Sequence, residues 1–309
     1  MRRALVLAIA IAVAVGVVFV NCGVELGADG VWQPLDEMQG ELTPSFAPPP
    51  RAITSPDTDG RLRVATYNIR DGGIDPQLIA SAFLANPELA RADVILIQEA
   101  WGVPAETSLR IERLATALGM GWVYAPARRL DDHDPRTLGN AILSRYPMDN
   151  VAVMQLALAT RKRQRIAVGA DIHVGDATVR VVTTHLDTTL NIADRILQLR
   201  PAAIDLPDAA LVGGDFNTNP YSWVAGAVPN LPASGVVDTD QAAQLDDYMS
   251  RLNFVNPTAK LGPTEVRFGI EFRLDAIFAR GVTVEGGGIE RSVTGSDHWP
   301  VWIDIKIRP

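Results

Sequence analysis

The sequence predicts an α/β fold in which helices cover sheets. Two observations carry that reading. From Arg61 to Leu118, short apolar runs rich in β-branched residues alternate with stripes at helical spacing, the order of a layered α/β domain rather than of segregated halves. Several of the apolar runs also stop at a polar cluster, most clearly Ala209–Val212 followed by Gly213-Gly214-Asp215-Phe216-Asn217. Buried strands of such folds carry ligands at their C-terminal ends. A lone Asp-x-Asn would read as an Asx-turn, but four further strand ends carry complementary chemistry.

The first residues stand apart from that pattern. Met1-Arg2-Arg3 precedes an unbroken apolar run from Ala4 to Val20, as in an export signal. At about 17 residues the run lies at the short edge of what spans a bilayer, so a cleaved signal peptide and a retained membrane anchor both stay open for residues 1–22. The arginines keep the N-terminus inside and send the rest across. Asn21 before Cys22 disfavours a lipoprotein signal. Residues 23–60 turn to Pro, Gly, Thr and Asp, including Pro48-Pro49-Pro50, and are expected to be a flexible linker. The 309 residues leave 61–309 as a domain long enough to bury a core. A net charge of −8 disfavours a broad nucleic-acid-coating surface and leaves room for a local basic groove. The single cysteine, Cys22, excludes an internal disulfide and a thiolate metal site.

Within the domain, Arg61–Asn68 alternates as a strand and ends on Asn68. Asp75-Pro76 caps a helix that covers the sheet. Val94–Ile97 is a buried strand delivering Gln98-Glu99. Ser108 is expected to cap the next helix and Gly119 to stop it. Trp122–Ala125 and Asn140–Ser144 read as strands joined by a solvated polar loop holding Arg128, Arg129, Asp131, Asp132, His133, Asp134 and Arg136. Val151–Leu158 and Ile166–Val174 pair around Arg161-Lys162-Arg163-Gln164-Arg165, where Arg165 opens a strand and can grip a phosphate bidentately. Val179–Thr184 terminates in His185-Leu186-Asp187, and the following helix is expected to stop at Pro201. A helix is expected over Asp238–Leu252, with Tyr221 and Trp223 behind the Asp215 turn. Phe272–Phe278 reads as a strand with Asp275 inside it. A buried aspartate needs a partner, and Ser296-Asp297-His298, directly before the last strand Val301–Ile307, supplies one.

Taken in order, Thr66-Tyr67-Asn68-Ile69, Gln98-Glu99, Gly139-Asn140-Ala141-Ile142-Leu143-Ser144-Arg145, Thr184-His185-Leu186, Gly214-Asp215-Phe216-Asn217, Leu274-Asp275 and Ser296-Asp297-His298 resemble the endonuclease/exonuclease/phosphatase superfamily. That group includes DNase I, AP endonucleases, neutral sphingomyelinases and inositol polyphosphate 5-phosphatases. The resemblance spans Arg61–Pro309. It implies a four-layer α-β-β-α sandwich of two packed mixed sheets and a divalent cation, Mg²⁺ with Mn²⁺ as a substitute, held by Glu99 with Asn68 and Asp297. It also implies catalytic roles for His185, Asp215, Asn217, Asp275 and His298, with either Asp215 or His298 as the base. Arg165 is the candidate substrate-binding residue. The expected substrate is a phosphodiester, in nucleic acid or in a phospholipid head group, cleaved by an exported monomer that residues 4–20 hold at a membrane if they are retained.

Overall fold

A computed structural model describes residues 30–34, 44–47, 59–70, 74–131, 133–157, 163–222, 239–267 and 269–308. Residues 1–22 with the expected export segment, most of the expected linker, Asp132, Leu158, Arg161, Lys162, Trp223 and Asp238 lie outside these. Among the described residues, no helix is long and apolar enough to cross a membrane.

In chain order the elements are β1 (Gln33–Pro34), β2 (Ser45–Ala47), β3 (Arg61–Asn68), α1 (Pro76–Ala85), β4 (Val94–Gly102), α2 (Arg110–Leu118), β5 (Gly121–Asp131), β6 (Asp134–Ser144), β7 (Met148–Gln155), β8 (Ile166–Val174) and β9 (Ala177–His185). There follow α3 (Ile192–Ala203), β10 (Ala210–Asp215), α4 (Gln241–Arg251), β11 (Glu265–Arg267), β12 (Ile270–Phe272), β13 (Asp275–Arg280), β14 (Val282–Ile289) and β15 (Val301–Ile307). Two mixed sheets face each other: a six-stranded one in the order β1-β7-β8-β9-β10-β13, and a seven-stranded one in the order β14-β15-β3-β4-β6-β5-β2.

Strand alternation sorts the side chains into layers. Val64, Leu96 and Ile142 of the seven-stranded sheet meet Val168, Val181, Leu211 and Ile277 of the six-stranded sheet in the central core. On the outer side of the first sheet, Ala65, Tyr67, Ile95 and Ile97 lie under Ile79 and Phe83 of α1 and Ile111 and Leu114 of α2. On the outer side of the second, Val182, Val212 and Phe278 lie under Leu199 of α3 and Leu245 and Met249 of α4. The result is the α-β-β-α sandwich, and β4 and β10 are apolar almost throughout because helix or sheet covers both their faces.

Local details depart from the sequence expectations in instructive ways. The polar stretch between Trp122 and Ser144 is not a loop: β5 and β6 run on as a hairpin that closes at Asp131, which accepts from the backbone N–H groups of His133 and Asp134. A hairpin clear of the core needs no apolar alternation, so its charges disguised it. Leu109, not Ser108, stands at the N-cap of α2, without a side-chain cap. Gly119 does close that helix, at φ +67°. Pro201 lies inside the last turn of α3, where only one carbonyl loses its amide partner. A break at Arg273-Leu274 separates β12 from β13, so Asp275 opens a strand instead of lying within one. Two short pieces of the expected tether, β1 and β2, pair with the edge strands β7 and β5.

Candidate active site

Register brings three of the predicted side chains into one row. β10 runs parallel to β9 with Asp215 opposite His185, and antiparallel to β13 with Asp215 opposite Asp275. Residues opposite each other on neighbouring strands point to the same face. Gly213 and Gly214 make the close approach feasible. A Cβ on Gly214, whose φ is +151°, would stand 2.0 Å from the Thr184 carbonyl oxygen, and one on Gly213 would meet Leu96 Cδ1 of the facing sheet at 2.6 Å.

The seven-stranded sheet contributes from the other side. Asn68 ends β3, opposite Gln98 of β4. Strand β4 does not end at Glu99, as the sequence implied. It bulges between Ile97 and Ala100, and Glu99 takes a left-handed φ of +59°. A bulge re-aims one side chain without ending the ladder. Gln98, fully buried, anchors the bulge: its Nε2, with two hydrogens to share, lies 3.1 Å from Leu96 O, 3.1 Å from Thr66 Oγ1 and, across the sheet interface, 2.9 Å from Thr183 Oγ1.

The two sets meet at Oδ2 of Asp215. Asn68 Nδ2 donates to it at 2.9 Å, His185 Nε2 lies 3.4 Å away and His298 Nε2 lies 3.8 Å away. The other carboxylate oxygen accepts from the backbone N–H of Asn217 at 2.9 Å. Glu99 Oε1 stands 3.2 Å from Asn68 Nδ2 and 3.9 Å from His185 Nδ1. His298 pairs through Nδ1 with Asp275 Oδ2 at 2.8 Å. Its backbone N–H bonds Ser296 Oγ, which in turn donates to Asn68 O at 2.7 Å. Asp297 lies near Arg70, 3.6 Å from its Nε. Asn217, at φ +51°, donates its side-chain amide to Leu186 O at 3.0 Å and so braces the exit of β9 against the exit of β10. Arg165 lines a cleft with Glu99, His185 and Arg128. Tyr221 packs against Phe272, with ring centroids 6.1 Å apart.

Burial sets the electrostatics. It pushes Asp215 up to about 7, with the Asp275 charge adding to the rise against His298, Asn217 and Asn68. Burial works against a charged His298, but Asp275 and then Asp215 outweigh it and lift that imidazole to about 10. Burial drives His185 well below the ordinary histidine value, and Arg165, His298 and Arg128 push it the same way. The site therefore holds a neutral imidazole at His185, a carboxyl poised near neutrality at Asp215 and an imidazolium at His298.

Two supporting residues escaped the sequence reading. Glu265 is 1 % exposed, and its carboxylate groups with Asp297 and His298 within 4.8 Å. Thr264 Oγ1 accepts the backbone N–H groups of Leu274 and Asp275, at 3.0 and 3.1 Å, and so sets the start of β13. Neither ends an apolar run, which was the only signal available. For a cation, the structure draws together Asp215, Asp275 and His298, and Glu265, Asp297 and His298, each trio within 4.8 Å. Glu99 belongs to neither trio, and Asn68 turns its Nδ2 toward it while its Oδ1 accepts from the Arg70 backbone N–H. The carboxylates suit a hard divalent ion in kind, and no thiolate competes.

A two-sheet sandwich with carboxylates and imidazoles converging where the strands end is the architecture of a phosphoester-hydrolysing class of protein. The chain belongs to the Endonuclease/Exonuclease/phosphatase family, whose profile matches residues 65–298. Members of that family are generally hydrolases of phosphoester bonds. No curated protein sequence matches the chain. Among solved structures, it is similar to a Bacteroides thetaiotaomicron member of the family, at 17% identity over 81% of this chain and 98% of that one, TM-score 0.55. It is also similar to the human Nocturnin catalytic domain with bound sulfate, at 16% identity over 87% and 99% of the two chains, TM-score 0.53. D. rerio TDP2 complexed with a single-strand DNA product matches at 15% identity over 80% and 100%, TM-score 0.54.

Proposed function

We propose that this chain is an exported, Mg²⁺-dependent phosphodiesterase that cleaves nucleic acid as a monomer. The observation that carries the reading is the convergence of Asn68, His185 and His298 on a single oxygen of Asp215, with Glu99 beside them. Hydrolysis of a phosphodiester requires an aligned water, neutralised phosphoryl oxygens and a proton for the leaving oxygen. A divalent cation held by Glu99, with Asn68 and Asp297, would polarise the phosphoryl group and offset its charge. Asp215, near 7, is suited to take the proton of the attacking water, which favours it over His298 as the base. His298, held charged by Asp275, stabilises phosphoryl oxygens, and neutral His185 donates a hydrogen bond to them. The TDP2 complex with a DNA product lends nucleic acid some support at the level of the fold.

One observation favours a second substrate. Val266 and Ile270 on the β11–β12 hairpin are 39 % and 48 % exposed, and Glu265 of that hairpin bridges His298. An apolar projection beside the site suits a lipid surface, as for a sphingomyelinase-like or phosphoinositide phosphatase-like hydrolase. The deciding experiment assays the protein on plasmid DNA, sphingomyelin vesicles and bis-p-nitrophenyl phosphate, with Mg²⁺ or a chelator, alongside His298→Ala. DNA and the aryl diester should be cleaved only with Mg²⁺ and the intact histidine. Hydrolysis that survives both chelation and the substitution contradicts the mechanism, and cleavage of sphingomyelin alone moves the substrate to lipid. Export is checked by N-terminal sequencing of protein recovered outside the cytoplasm.

A further inference from the structure

We propose that Arg195 of α3 is a positioning residue: it ties the exit of β9 to the exit of β10 and so holds His185 and Asn217 in the arrangement the reaction needs. The inference rests on the phosphodiesterase reading above and deepens it.

Helix α3 covers the six-stranded sheet with a buried stripe whose apolar members include Ile192, Leu199 and Ala202. Arg195 occupies that stripe, three residues after Ile192 and four before Leu199, and is fully buried. A core position is thus given to a charge, which is costly out of water unless its donors are used. Here its three nitrogens face three acceptors. Nε donates to Asp187 O at 2.9 Å, Nη2 to Thr188 O at 3.1 Å, and Nη1 to Oε1 of Gln241, the first residue of α4, at 2.5 Å. The planar fork of a guanidinium suits three fixed directions, as the point charge of a lysine does not.

The acceptors give the arginine its role, because they are not core elements but the chain leaving the reacting groups. Asp187 and Thr188 follow His185 by two and three residues. The residue between, Leu186, donates its N–H to Asp215 O at 3.0 Å and accepts the Asn217 side-chain amide at 3.0 Å. Asp187 N–H in turn donates to Gln198 Oε1 of α3 at 2.8 Å. Thr188 O is shared: Asn219 Nδ2 donates to it at 3.0 Å and to Asn217 O at 3.0 Å. Gln241 extends the link, since its Nε2 donates to Tyr221 O at 2.8 Å. Arg195 therefore binds the very oxygen at which the chain from His185 and the chain from Asn217 meet. Its loss takes a donor from two carbonyls and lets the His185 exit shift against Asp215, and a displacement of about 1 Å at a reacting group costs on the order of 10²-fold in rate.

The test uses the full-length protein with Mg²⁺ and bis-p-nitrophenyl phosphate, at a temperature where thermal melts show each variant to be folded. Arg195→Met and Arg195→Lys are expected to lose roughly 10- to 100-fold in kcat with KM held within about 3-fold, and Gln241→Leu to lose roughly 3- to 10-fold in kcat. A merely structural arginine would lower Tm and leave the kcat of the folded protein alone. The NMR signals of the His185 ring and the Asn217 side-chain amide should also move in the variants, while those of the His173 ring, at the other end of β8, stay in place. A kcat within about 2-fold of wild type in the folded variants, or unmoved His185 and Asn217 signals, overturns the positioning role and leaves the phosphodiesterase reading intact. If neither Arg195 variant folds, Gln241→Leu, which keeps the arginine, decides by the same two readouts. If wild type does not cleave the diester, the phosphodiesterase reading falls, and the NMR comparison alone upholds or overturns the role of Arg195.

Discussion

Asp275→Asn tests the electrostatic core of the site. The substitution keeps the size of the side chain and deletes the charge that faces His298 Nδ1 at 2.8 Å. Among the influences on His298, burial presses its pKa down, and Asp275 is the largest that lifts it, ahead of Asp215, to about 10. A folded-state pKa above the unfolded value of about 6.5 means that the native protein keeps a proton the unfolded chain releases. The resulting stabilisation is present in full below pH ~6.5 and is lost as pH rises through the folded value of about 10. In the variant, the His298 midpoint should drop toward the ordinary histidine range, leaving the ring neutral at pH 8 where wild type is charged. Removing one partner of a buried pair costs roughly 3–5 kcal/mol, and the retained amide favours the low end. For a domain of this size about 3 kcal/mol lowers Tm by roughly 6–12 °C. Loss of an oriented, charged imidazole should cost roughly 10²–10⁴ in kcat/KM. The assay is the titration of the His298 ring protons by NMR, assigned with His298→Ala, together with thermal melts at pH 6, 8 and 10. A wild-type midpoint near that of a free histidine, or a variant midpoint equal to wild type, refutes the reasoning.

Three other outcomes are expected. The wild-type kcat/KM should rise with pH through about 7 as Asp215 ionises, and Asp215→Asn should lose that limb along with roughly 10²–10⁴ of activity; a flat profile from pH 5 to 8 speaks against Asp215 as the base. Glu99→Gln should raise the Mg²⁺ concentration for half-maximal activity by at least about 10-fold, read from a Mg²⁺ titration of diester hydrolysis. Gly214→Ala places a methyl 2.0 Å from the Thr184 carbonyl at φ +151°, and should destabilise by about 3 kcal/mol or more in a thermal melt.

Strand ends were the legible part of this chain, because a buried strand announces itself as an apolar run and its exit as the first polar residues. Asn68, His185 and Asp215 all follow such runs, and all three meet in the structure. What lay off that pattern was not legible. The hairpin that brings in Arg128 carries exposed charges in place of an apolar stripe, so a paired ladder looked like a loop. Glu265 opens a three-residue strand and is itself buried, bridging His298 across 33 residues of sequence. Gln98 read as a mere companion of Glu99, although its amide crosses to Thr183 on the opposite sheet.

That crossing explains why the site cannot be assembled from either sheet alone. Asp215 gains its row from β9 and β13, but the amide that holds its Oδ2 comes from β3 of the other sheet. The carboxylate that approaches the same amide, Glu99, reaches it only because β4 bulges there, and the bulge is anchored through Gln98 to both sheets. Docking of the two sheets is therefore the step that creates the chemistry. Gly213 belongs to that step, since a Cβ there would stand 2.6 Å from Leu96 Cδ1 of the facing sheet and force that side chain to repack where the two sheets meet.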